Sequence, residues 1–462
     1  MELALFIDFG STYTKVTVID LLAEEIKATG QACTTIRSNI MDGLKNALIP
    51  IYEQLGRDIS FKHKVACSSA AGGLKMVAVG LVKDLTAEAA KRAALGAGAR
   101  VLDVFTHELA KAELEDIDVL DPDIILLAGG TDGGNKDVLI SNAKRLAGLE
   151  KRTPVVVAGN KVVAQEAADL LNNQGFEAWV VDNVMPELNS LNIEPARLKI
   201  REIFLTKLVE AKGLAQAKTF VDGILMPTPA AVLNAAELLA VGTKEESGWG
   251  DLLVIDPGGA TTDVHSVAEG APNKAGIIWK GLPEPKVKRT VEGDLGMRYS
   301  AQSLLETAGD HLNSLKIDQK NALEQYTNLI ATDPDYLPVS PLEKALEKFL
   351  GGLAVEIAVE RHAGYVEVIY TPFGTSMFQY GKDLTGVKHI LGTGGVLVNN
   401  FYAREILNKA LFNPKKPHVL KPRAPMFWLD RHYILATMGL LAEIDAAKSL
   451  RMLKKYIVEL GR

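Results

Sequence analysis

Cysteine, long apolar runs and an excess of positive charge are all lacking in this chain of 462 residues. Its two cysteines, Cys33 and Cys67, are too few for a disulfide framework or a four-cysteine zinc site, and such scarcity is typical of a reducing compartment. Apolar runs such as Met76 to Val82 fall short of the roughly 20 residues that cross a bilayer. A formal net charge of −6 disfavours general attraction to nucleic acid. We therefore expect a cytoplasmic protein that binds neither membrane nor nucleic acid.

Two common functional motifs are absent as well. No G-x-x-x-x-G-K-[ST] run occurs, which excludes the usual P-loop, and no H-E-x-x-H pair indicates zinc. The composition, 47% apolar and 23% charged residues, is typical of a globular protein, and the length allows two or three domains. Functional residues are therefore expected in less common local motifs.

The chain begins as a β-hairpin and continues with alternating α/β structure. Apolar, β-branched runs at residues 3–8 and 15–21 flank a polar turn. Beyond Asp123, strand-like runs alternate regularly with helical patterns, which predicts a parallel sheet. Residues 87–116 have an Ala-rich helical pattern, and residues 187–241 lack strong strand runs, so the latter are expected to form a helical insertion or connection.

A second strand, turn and strand follow in the other half of the chain. Residues 252–259 and 261–267 repeat the layout of the N-terminus without close sequence identity, which predicts two related halves. A polar, glycine-bearing stretch from Gly242 to Gly250 indicates a domain boundary near residue 245. The predicted α/β domains are 1–245, which includes the helical insertion, and 246–432, followed by C-terminal helices at 433–462 that can return to the first domain.

The turns of the two hairpins have the chemistry of a phosphate site. Both have the form Asp-x-Gly followed by hydroxyl residues, DFGSTYTK at 8–15 and DPGGATTD at 256–263. Glycines let backbone N–H groups approach phosphate oxygens, hydroxyls add donors, and an aspartate at a strand end can hold hydrated magnesium. Either turn alone is equally well explained as an ordinary hairpin, because Asp, Gly and Ser are common turn residues.

A third element, HILGTGGVLV at 389–398, is an apolar strand that ends in a glycine cluster. Such a cluster admits the close approach of a flat ligand or its α-phosphate, although alone it is typical of any tight strand-to-helix turn. The order of the three elements, two phosphate-type turns and then a glycine cluster, favours a nucleotide site, since agreement among motifs weighs more than one match.

These elements resemble the phosphate 1, phosphate 2 and adenosine motifs of the actin, hexokinase and heat-shock-chaperone ATPases. Over essentially its whole length, the chain also resembles the MutL family of glutamate mutase accessory proteins. The segments that carry this second resemblance are IDFGSTYTK (7–15), LLAGGTDGGN (126–135), VIDPGGATTDVHS (254–266), EGDLGMR (292–298), GTGGVLV (392–398) and YILATMGLLAE (433–443). The resemblance implies two ribonuclease-H-like domains with a nucleotide cleft between them. It also implies an ATPase that reactivates an adenosylcobalamin-dependent carbon-skeleton mutase by exchanging damaged cofactor.

The resemblance further implies roles for single residues. Asp8, Asp256 and Asp263 would bind or organise a magnesium ion and its waters. The family does not fix which carboxylate orients the water that attacks ATP, and our hypothesis ranks Asp256 first and Asp8 second. The implied nucleotide contacts are Gly10, Ser11, Thr12 and Lys15 at the β-phosphate, Gly258, Gly259, Thr261 and Thr262 at the γ-phosphate, and Gly392, Gly394 and Gly395 on the adenosine side. The implied cofactors are ATP and Mg²⁺ and the implied partners are mutase subunits, while homo-oligomerisation stays open.

Three other functions are known on this fold. A small-molecule kinase is the main alternative, but it needs a general base for an acceptor hydroxyl, and no such base stands out. A reductive activator of a radical dehydratase needs cysteines at a dimer contact near the second domain, whereas both cysteines here lie early in the first. A filament-forming actin relative is a further alternative, because fold does not dictate function.

Three further segments of the sequence each allow two interpretations of their role. Glu292 and Asp294 are equally consistent with contacts to ribose or metal and with acidic residues at a helix N-terminus. The glycine loop at 128–135 is favoured as an ordinary βα turn over an anion site. The basic loop at 413–425 is favoured as a solvated loop over a docking surface for an acidic partner.

Overall fold

The chain divides into two compact units in the computed structural model. The first comprises Met1–Val232 with Gly281–Pro283, and the second comprises Leu233–Lys280 with Glu284–Arg462. The structure describes residues 1–10, 12–35, 39–69, 74–210, 220–371 and 374–461. Every helix among these residues is too short or too polar to span a lipid bilayer.

The first unit is built on two β-sheets. Its elements are, in chain order, β1 (Leu3–Phe9), β2 (Tyr13–Asp20), β3 (Glu25–Cys33), α1 (Ile40–Leu55), β4 (His63–Ser68), β5 (Lys75–Gly80), α2 (Glu88–Gly96), β6 (Arg100–Thr106), α3 (Lys111–Leu120), β7 (Ile124–Leu127), α4 (Asp137–Leu146), β8 (Val155–Val157), α5 (Ala164–Asn172), β9 (Ala178–Val180), α6 (Glu194–Glu210), β10 (Gly223–Pro227) and α7 (Thr228–Val241), which continues into the second unit.

The central sheet of the first unit has the strand order β10-β4-β1-β2-β3. Strand β2 is antiparallel to both of its neighbours, while β1, β4 and β10 run parallel. The apolar run of β1 is buried almost throughout, as expected for a strand that is covered on both faces. The hairpin predicted at residues 3–8 and 15–21 is confirmed, and its register places Asp8 opposite Lys15.

A second sheet is inserted in the chain between β4 and β10. Its order is β6-β5-β7-β8-β9, and all of its pairs are parallel. The parallel sheet predicted beyond Asp123 is therefore confirmed in β7, β8 and β9. Helices α4 and α5 bury apolar residues against one face of these strands. In this order β6 is added on one side of β5, and β7, β8 and β9 are added on the other side. The loops after β5 and β7 therefore lie at the point where the strand order reverses.

Two stretches that were expected to be helical contain strands. Residues 87–116 form α2, β6 and α3, because Gly98 takes a left-handed conformation (φ 87°) just after α2 and the following run pairs with β5. Residues 187–241 include β10, which pairs with β4 at the edge of the central sheet. In both cases partners distant in sequence decide the structure, and a local pattern does not contain them. Residues 211–219 of the expected helical connection lie outside the described residues.

The second unit repeats the plan of the first. Its elements are β11 (Leu252–Pro257), β12 (Thr262–Val267), β13 (Ile277–Trp279), β14 (Val287–Glu292), α8 (Ala301–Ala308), α9 (Ile317–Thr332), α10 (Pro341–His362), β15 (Tyr365–Thr371), β16 (Gly374–Tyr380), β17 (His389–Gly392), α11 (Gly395–Val398), α12 (Ala403–Leu407), β18 (Met426–Leu429), α13 (Leu435–Ala442), α14 (Ala446–Tyr456) and β19 (Val458–Glu459).

The central sheet of the second unit has the order β14-β12-β11-β17-β18-β19. Strand β12 is antiparallel to β11 and β14, and β11, β17 and β18 run parallel, so the first five strands match the other sheet in order and direction. Helix α10 packs against this sheet in an apolar core. The predicted fold class, two related ribonuclease-H-like α/β domains, is thus confirmed.

The compact units divide at residues 232 and 233, inside α7. The helices α13 and α14, predicted as terminal helices, are confirmed and belong to the second compact unit. The domain limits predicted near residues 245 and 432 remain predictions. A small sheet of order β13-β16-β15 completes the second unit.

Candidate functional site

The first Asp-x-Gly turn closes the β1–β2 hairpin. The Gly10 amide donates to the Tyr13 carbonyl at 3.1 Å, and a Cβ at Gly10 would lie 2.5 Å from that oxygen, so only glycine fits this turn. The carbonyl of Thr12 accepts from the Thr34 amide at 2.8 Å, which joins the turn to the end of β3. Ser11, which was predicted to contact the β-phosphate, lies outside the described residues.

Asp8 is half-buried at the end of β1 and has two polar neighbours. The hydroxyl of Thr228, the first residue of α7, donates to Asp8 Oδ1 at 2.6 Å, and the thiol of Cys67 donates to the same oxygen at 3.5 Å. Burial raises the pKa of Asp8, while Lys15 and these two hydrogen bonds oppose the rise. Thr228 was not predicted from the sequence. The signal that could have indicated it is the short apolar run directly before it, which forms β10.

Cys67 is unsuited to binding an iron–sulfur cluster. Its thiol is buried, and both burial and the neighbouring Asp8 raise its pKa well above the usual range. Cluster ligation requires a thiolate, which electropositive surroundings favour. Cys67 therefore gives no support to a reductive activator, and the other cysteine, Cys33, is exposed at the end of β3.

The second Asp-x-Gly turn has the same length and register as the first. Asp256 lies opposite Asp263, as Asp8 lies opposite Lys15, and the Gly258 amide donates to the Thr261 carbonyl at 2.9 Å. The glycine two residues after the aspartate thus makes the same backbone hydrogen bond in each turn. Two segments with different sequences adopt one local structure.

Backbone amides of residues 297–299 donate hydrogen bonds to carbonyls of the second turn. The Met297 amide donates to the Gly258 carbonyl at 2.9 Å, and the amides of Arg298 and Tyr299 donate to the Gly259 carbonyl at 2.8 and 2.9 Å. These three hydrogen bonds therefore tie the carbonyls of the second turn to residues 297–299. The segment EGDLGMR, noted in the sequence for its resemblance, therefore supports the turn.

Side chains on β12 are bound within the second unit. Asp263 Oδ1 lies 2.8 Å from Arg289 Nε and 2.6 Å from Arg289 Nη2, which forms an ion pair. Asp263 Oδ2 accepts a hydrogen bond from the Thr261 hydroxyl at 2.9 Å. Thr262 is fully buried, and its hydroxyl donates to the Leu295 carbonyl at 2.6 Å. The metal role of Asp263 and the phosphate role of Thr262 remain predictions.

Glu292 and Asp294 are both held by Arg361 of α10. Arg361 Nη1 lies 2.6 Å from Glu292 Oε2 and 2.8 Å from Asp294 Oδ1, and Nη2 donates to Asp294 Oδ2 at 2.9 Å. This ion pair also lowers the pKa of Asp294. Neither residue begins a helix, because β14 ends at Glu292 and α8 starts at Ala301.

The glycine cluster after β17 contacts the carboxylate of Asp256. A Cβ at Gly394 would lie 2.4 Å from Asp256 Oδ1, and Gly394 has φ 91°, so a side chain there would displace the carboxylate. Gly392 faces the core, where a Cβ would meet Leu397 at 2.8 Å. Gly395 begins α11, and a Cβ there would make ordinary contact at 3.5 Å. The second unit thus brings its phosphate-type turn and its glycine cluster together.

Asp430 organises this cluster and was not predicted from the sequence. It is fully buried; its amide donates to the Gly392 carbonyl at 2.9 Å, and its Oδ2 accepts from the Thr393 hydroxyl at 3.2 Å. Its carboxylate also accepts from the amides of Ile434 and Leu435 at 2.9 and 3.1 Å. An aspartate directly after an apolar run, as also at Asp8 and Asp256, is the signal that could have indicated it.

The glycine loop at 128–135 is held by two buried asparagines. Asn160 accepts from the Gly133 amide at 3.2 Å and donates to the carbonyls of Gly134 and Asn135 at 3.2 and 3.1 Å. Asn183 donates to the Gly130 carbonyl and to Asp132 Oδ1, both at 3.0 Å. These bonds are consistent with the favoured interpretation of a structured βα turn.

Cations of the basic loop at 413–425 have partners within the second unit. Lys416 Nζ lies 2.7 Å from Glu360, and Lys421 is 1% exposed and donates to the Lys409 carbonyl at 3.0 Å. The guanidinium of Arg423 lies 4.1 Å from the centre of the Phe412 ring. These contacts leave fewer charges for a docking surface than the sequence suggests.

Comparison with known proteins decides the family. The family model described as MutL protein matches residues 4–457, nearly the whole chain. The chain belongs to the MutL protein family. A curated relative, Protein MutL of Clostridium tetanomorphum, is 52% identical over 461 residues, which cover 99% of this chain and 100% of the relative. The MutL resemblance predicted from the sequence motifs is thereby confirmed.

Solved structures match this MutL family member only distantly. A ligand-bound xylulose kinase from Lactobacillus acidophilus is 11% identical with a TM-score of 0.36, covering 100% of this chain and 93% of the kinase. Component A of (R)-2-hydroxyglutaryl-CoA dehydratase from Acidaminococcus fermentans is 10% identical with a TM-score of 0.29, covering 99% of each chain. At these scores neither supports a functional argument, so the fold rests on the strand order described above.

Proposed function

We propose that this member of the MutL family is an ATPase that reactivates an adenosylcobalamin-dependent carbon-skeleton mutase of the glutamate mutase type. The observation that carries the ATPase part is the pair of Asp-x-Gly turns, which share length, register and backbone hydrogen bond. Family membership supports the mutase part. We place the protein in the cytoplasm, where such a mutase would work.

The proposed nucleotide ligands are backbone amides and hydroxyls of the glycine-bearing turns. Backbone N–H groups in such turns form an anion-binding concavity that suits phosphate oxygens. The residues proposed to bind ATP are Gly10, Ser11, Thr12, Lys15, Gly258, Gly259, Thr261, Thr262, Gly392, Gly394 and Gly395. In the second loop the carbonyls of Gly258 and Gly259 accept hydrogen bonds from the amides of residues 297–299, which preorganises this part of the loop for a ligand.

Magnesium fits the aspartates that end β1 and β11. Mg²⁺ prefers carboxylate and water oxygens, which are the donors that Asp8 and Asp256 supply, with Asp263 as a third proposed residue. Burial raises the pKa of Asp8, so a bound cation would stabilise the ionised carboxylate that the protein alone stabilises poorly. When bound, the ion would neutralise charge on the phosphates.

Hydrolysis requires a group that orients the attacking water. We assign this role to Asp256 and, in second place, to Asp8. The Asp256 carboxylate lies next to Gly394, where an added Cβ would come within 2.4 Å of its Oδ1, and a carboxylate at this position can accept a hydrogen bond from the attacking water. The water oxygen bonds to the γ-phosphorus while the bond between that phosphorus and the β–γ bridging oxygen breaks, which yields ADP and phosphate.

The ATP cycle is proposed to shift the population of chain conformations. A ligand changes such an equilibrium only through different affinities for the two states, so ATP and ADP must favour different conformations. One conformation would bind the inactivated mutase and let damaged cobalamin leave, and the other would release the mutase after intact cofactor enters.

The nucleotide part is tested by calorimetric titration of ATP with Mg²⁺. We compare the parent chain with Asp8→Ala, Asp256→Ala and, as a control, Asp58→Ala, which alters an exposed aspartate of the first unit. We expect one ATP per chain, weaker binding in the first two variants and unchanged binding in the control. ATP hydrolysis that survives in Asp256→Ala would refute the role of that residue, and no binding by the parent would refute the ATPase.

The partner part needs a separate assay. A glutamate-type mutase carrying damaged cobalamin is incubated with the chain, ATP, Mg²⁺ and fresh adenosylcobalamin, and the return of mutase activity is measured. We expect recovery that requires ATP and fails with Asp256→Ala. If the parent hydrolyses ATP but never restores activity, the mutase part is wrong and the ATPase part stands.

A further inference from the structure

A histidine and two glutamates come together in the second unit, outside the proposed nucleotide residues. His311 lies in the 3₁₀ turn Gly309–Ser314, and Glu356 and Glu360 lie one helical turn apart on α10. One ligand atom from each of the three side chains lies within 4.8 Å of the other two. The i, i+4 spacing places both carboxylates on the face of α10 that meets the turn.

The imidazole of His311 is oriented as a metal ligand would be. Its Nδ1 lies 2.9 Å from the Ala308 carbonyl, and since a carbonyl oxygen only accepts, Nδ1 carries the proton. In the neutral ring the lone pair then belongs to Nε2. Histidines that bind metals commonly donate their other N–H to a backbone carbonyl or a carboxylate, which fixes the ring in this way.

Both glutamates are largely buried, and one of their carboxylate oxygens has no hydrogen bond within the described residues. Glu356 is only 9% exposed, and in the described part of the chain it makes no hydrogen bond or ion pair. Glu360 Oε2 pairs with Lys416 at 2.7 Å, but Glu360 Oε1 is buried and accepts no hydrogen bond from any described residue. A buried acceptor left in this state requires an explanation, and a bound cation is one.

Lysines near the cluster do not supply the missing contact. Lys421 Nζ is 3.8 Å from Glu360 Oε1, beyond hydrogen-bond distance, and it donates to the Lys409 carbonyl instead. Lys416 takes only the other oxygen of Glu360. The two ammonium groups reduce the negative charge of the cluster, so a hard, weakly held ion is disfavoured and a metal that also bonds to imidazole is favoured.

We propose that His311, Glu356 and Glu360 bind a divalent transition-metal ion of the zinc class. One imidazole and two carboxylates are ligands that zinc takes, and three protein ligands leave a fourth position for water. The bound ion would tie the turn that contains His311 to α10, the helix whose Arg361 holds Glu292 and Asp294.

The test is a calorimetric titration of the metal-free, full-length chain with ZnCl₂ in the absence of nucleotide. We compare the parent with His311→Ala and with the nearly isosteric Glu356→Gln. Matched controls are His63→Ala and the exposed Glu324→Gln of α9. We expect one Zn²⁺ per chain, binding at least tenfold weaker in both cluster variants, and unchanged binding in both controls.

Cobalt and a nucleotide-site variant make the outcome decisive. Co²⁺ bound by the parent should give a visible spectrum that Glu356→Gln changes, and Asp256→Ala should bind Zn²⁺ like the parent, which separates this site from the proposed ATP site. Circular dichroism checks that each variant is folded. Equal Zn²⁺ affinity in the parent, His311→Ala and Glu356→Gln, or no binding by the parent, would overturn the proposal.

Discussion

The hydroxyl of Thr228 helps to keep Asp8 ionised. Hydrogen bonds to charged groups contribute about 1.5–3 kcal/mol, and this one opposes the rise in the Asp8 pKa that burial causes. We therefore expect Thr228→Val to weaken binding of ATP with Mg²⁺ by about tenfold or more, with a larger loss at pH 6 than at pH 8. Thr228→Ser keeps the hydroxyl and should bind as the parent does. Calorimetry at both pH values decides, and equal affinity in the valine and serine variants would contradict the role.

Lys382 makes stability depend on pH. It is fully buried, donates to Ser266 Oγ at 3.2 Å and to the Lys286 carbonyl at 2.7 Å, and burial lowers its pKa from 10.5 to about 7. Between these values the unfolded chain holds a proton that the folded chain has lost, so this group makes the folded state more stable as pH rises from 7 to 10.

The measurement is urea unfolding of the parent and Lys382→Met at pH 7, 8, 9 and 10. We expect the free energy of unfolding to rise with pH more steeply in the parent, by up to about 1.4 kcal/mol per pH unit, because methionine cannot titrate. Lys388→Met, which changes an exposed lysine nearby in sequence, should keep the parent slope. Parallel curves for the parent and Lys382→Met would show that Lys382 titrates normally.

Candidate residues that are marked by a local sequence pattern could be proposed from the sequence, whereas those defined by contacts with distant partners could not. Asp8 and Asp256 each precede a glycine by two positions in a short turn, so the sequence itself shows the motif to which each aspartate belongs. Thr228 meets Asp8 across 220 positions, and Asp430 meets Thr393 across 37. Only the folded sheet brings such pairs together, which is why both supporting residues were missed.

Among the elements, hairpins were easier to predict than strands added from afar. The β1–β2 and β11–β12 hairpins are closed by their own turns, and their alternating apolar runs lie next to each other in sequence. Strand β10 pairs with β4, from which the whole inserted sheet separates it in the chain. A run of five residues carries too little periodicity to reveal such pairing.

The loop after β7 depends on Asn160, which is fully buried and bonds to three of its residues. Asn160→Ala removes its hydrogen bonds to the Gly133 amide and to the carbonyls of Gly134 and Asn135, and a typical hydrogen bond of this kind contributes about 0.5–1.5 kcal/mol. We expect the free energy of unfolding to fall by at least about 2 kcal/mol, measured by urea denaturation. The exposed Asn173→Ala is the matched control and should change it little. A fall of the same size in both variants would contradict the assigned role.

On the scale of the whole molecule, the two units reach one strand order with different sequences. Their five shared strands agree in order and direction, and their Asp-x-Gly turns agree in register. What the sequences share is the pattern of short apolar strands and a glycine turn, so the same strand order forms although the other residues differ. The insertion after β4 was recognised as α/β structure, but its place within the first unit needed the pairing of β10.

ATP that binds the folded chain and not the unfolded chain stabilises the folded state. A ligand at 100 times its dissociation constant adds about 2.7 kcal/mol to the free energy of unfolding. We expect ATP with Mg²⁺ at that level to give this gain in the parent, and Asp8→Ala and Asp256→Ala each to lose most of it at the same ligand concentration. Urea denaturation with and without ATP measures the gain. A full gain in either variant would show that the turn it alters does not bind the nucleotide, whereas loss in both is the result expected if both turns take part in binding ATP.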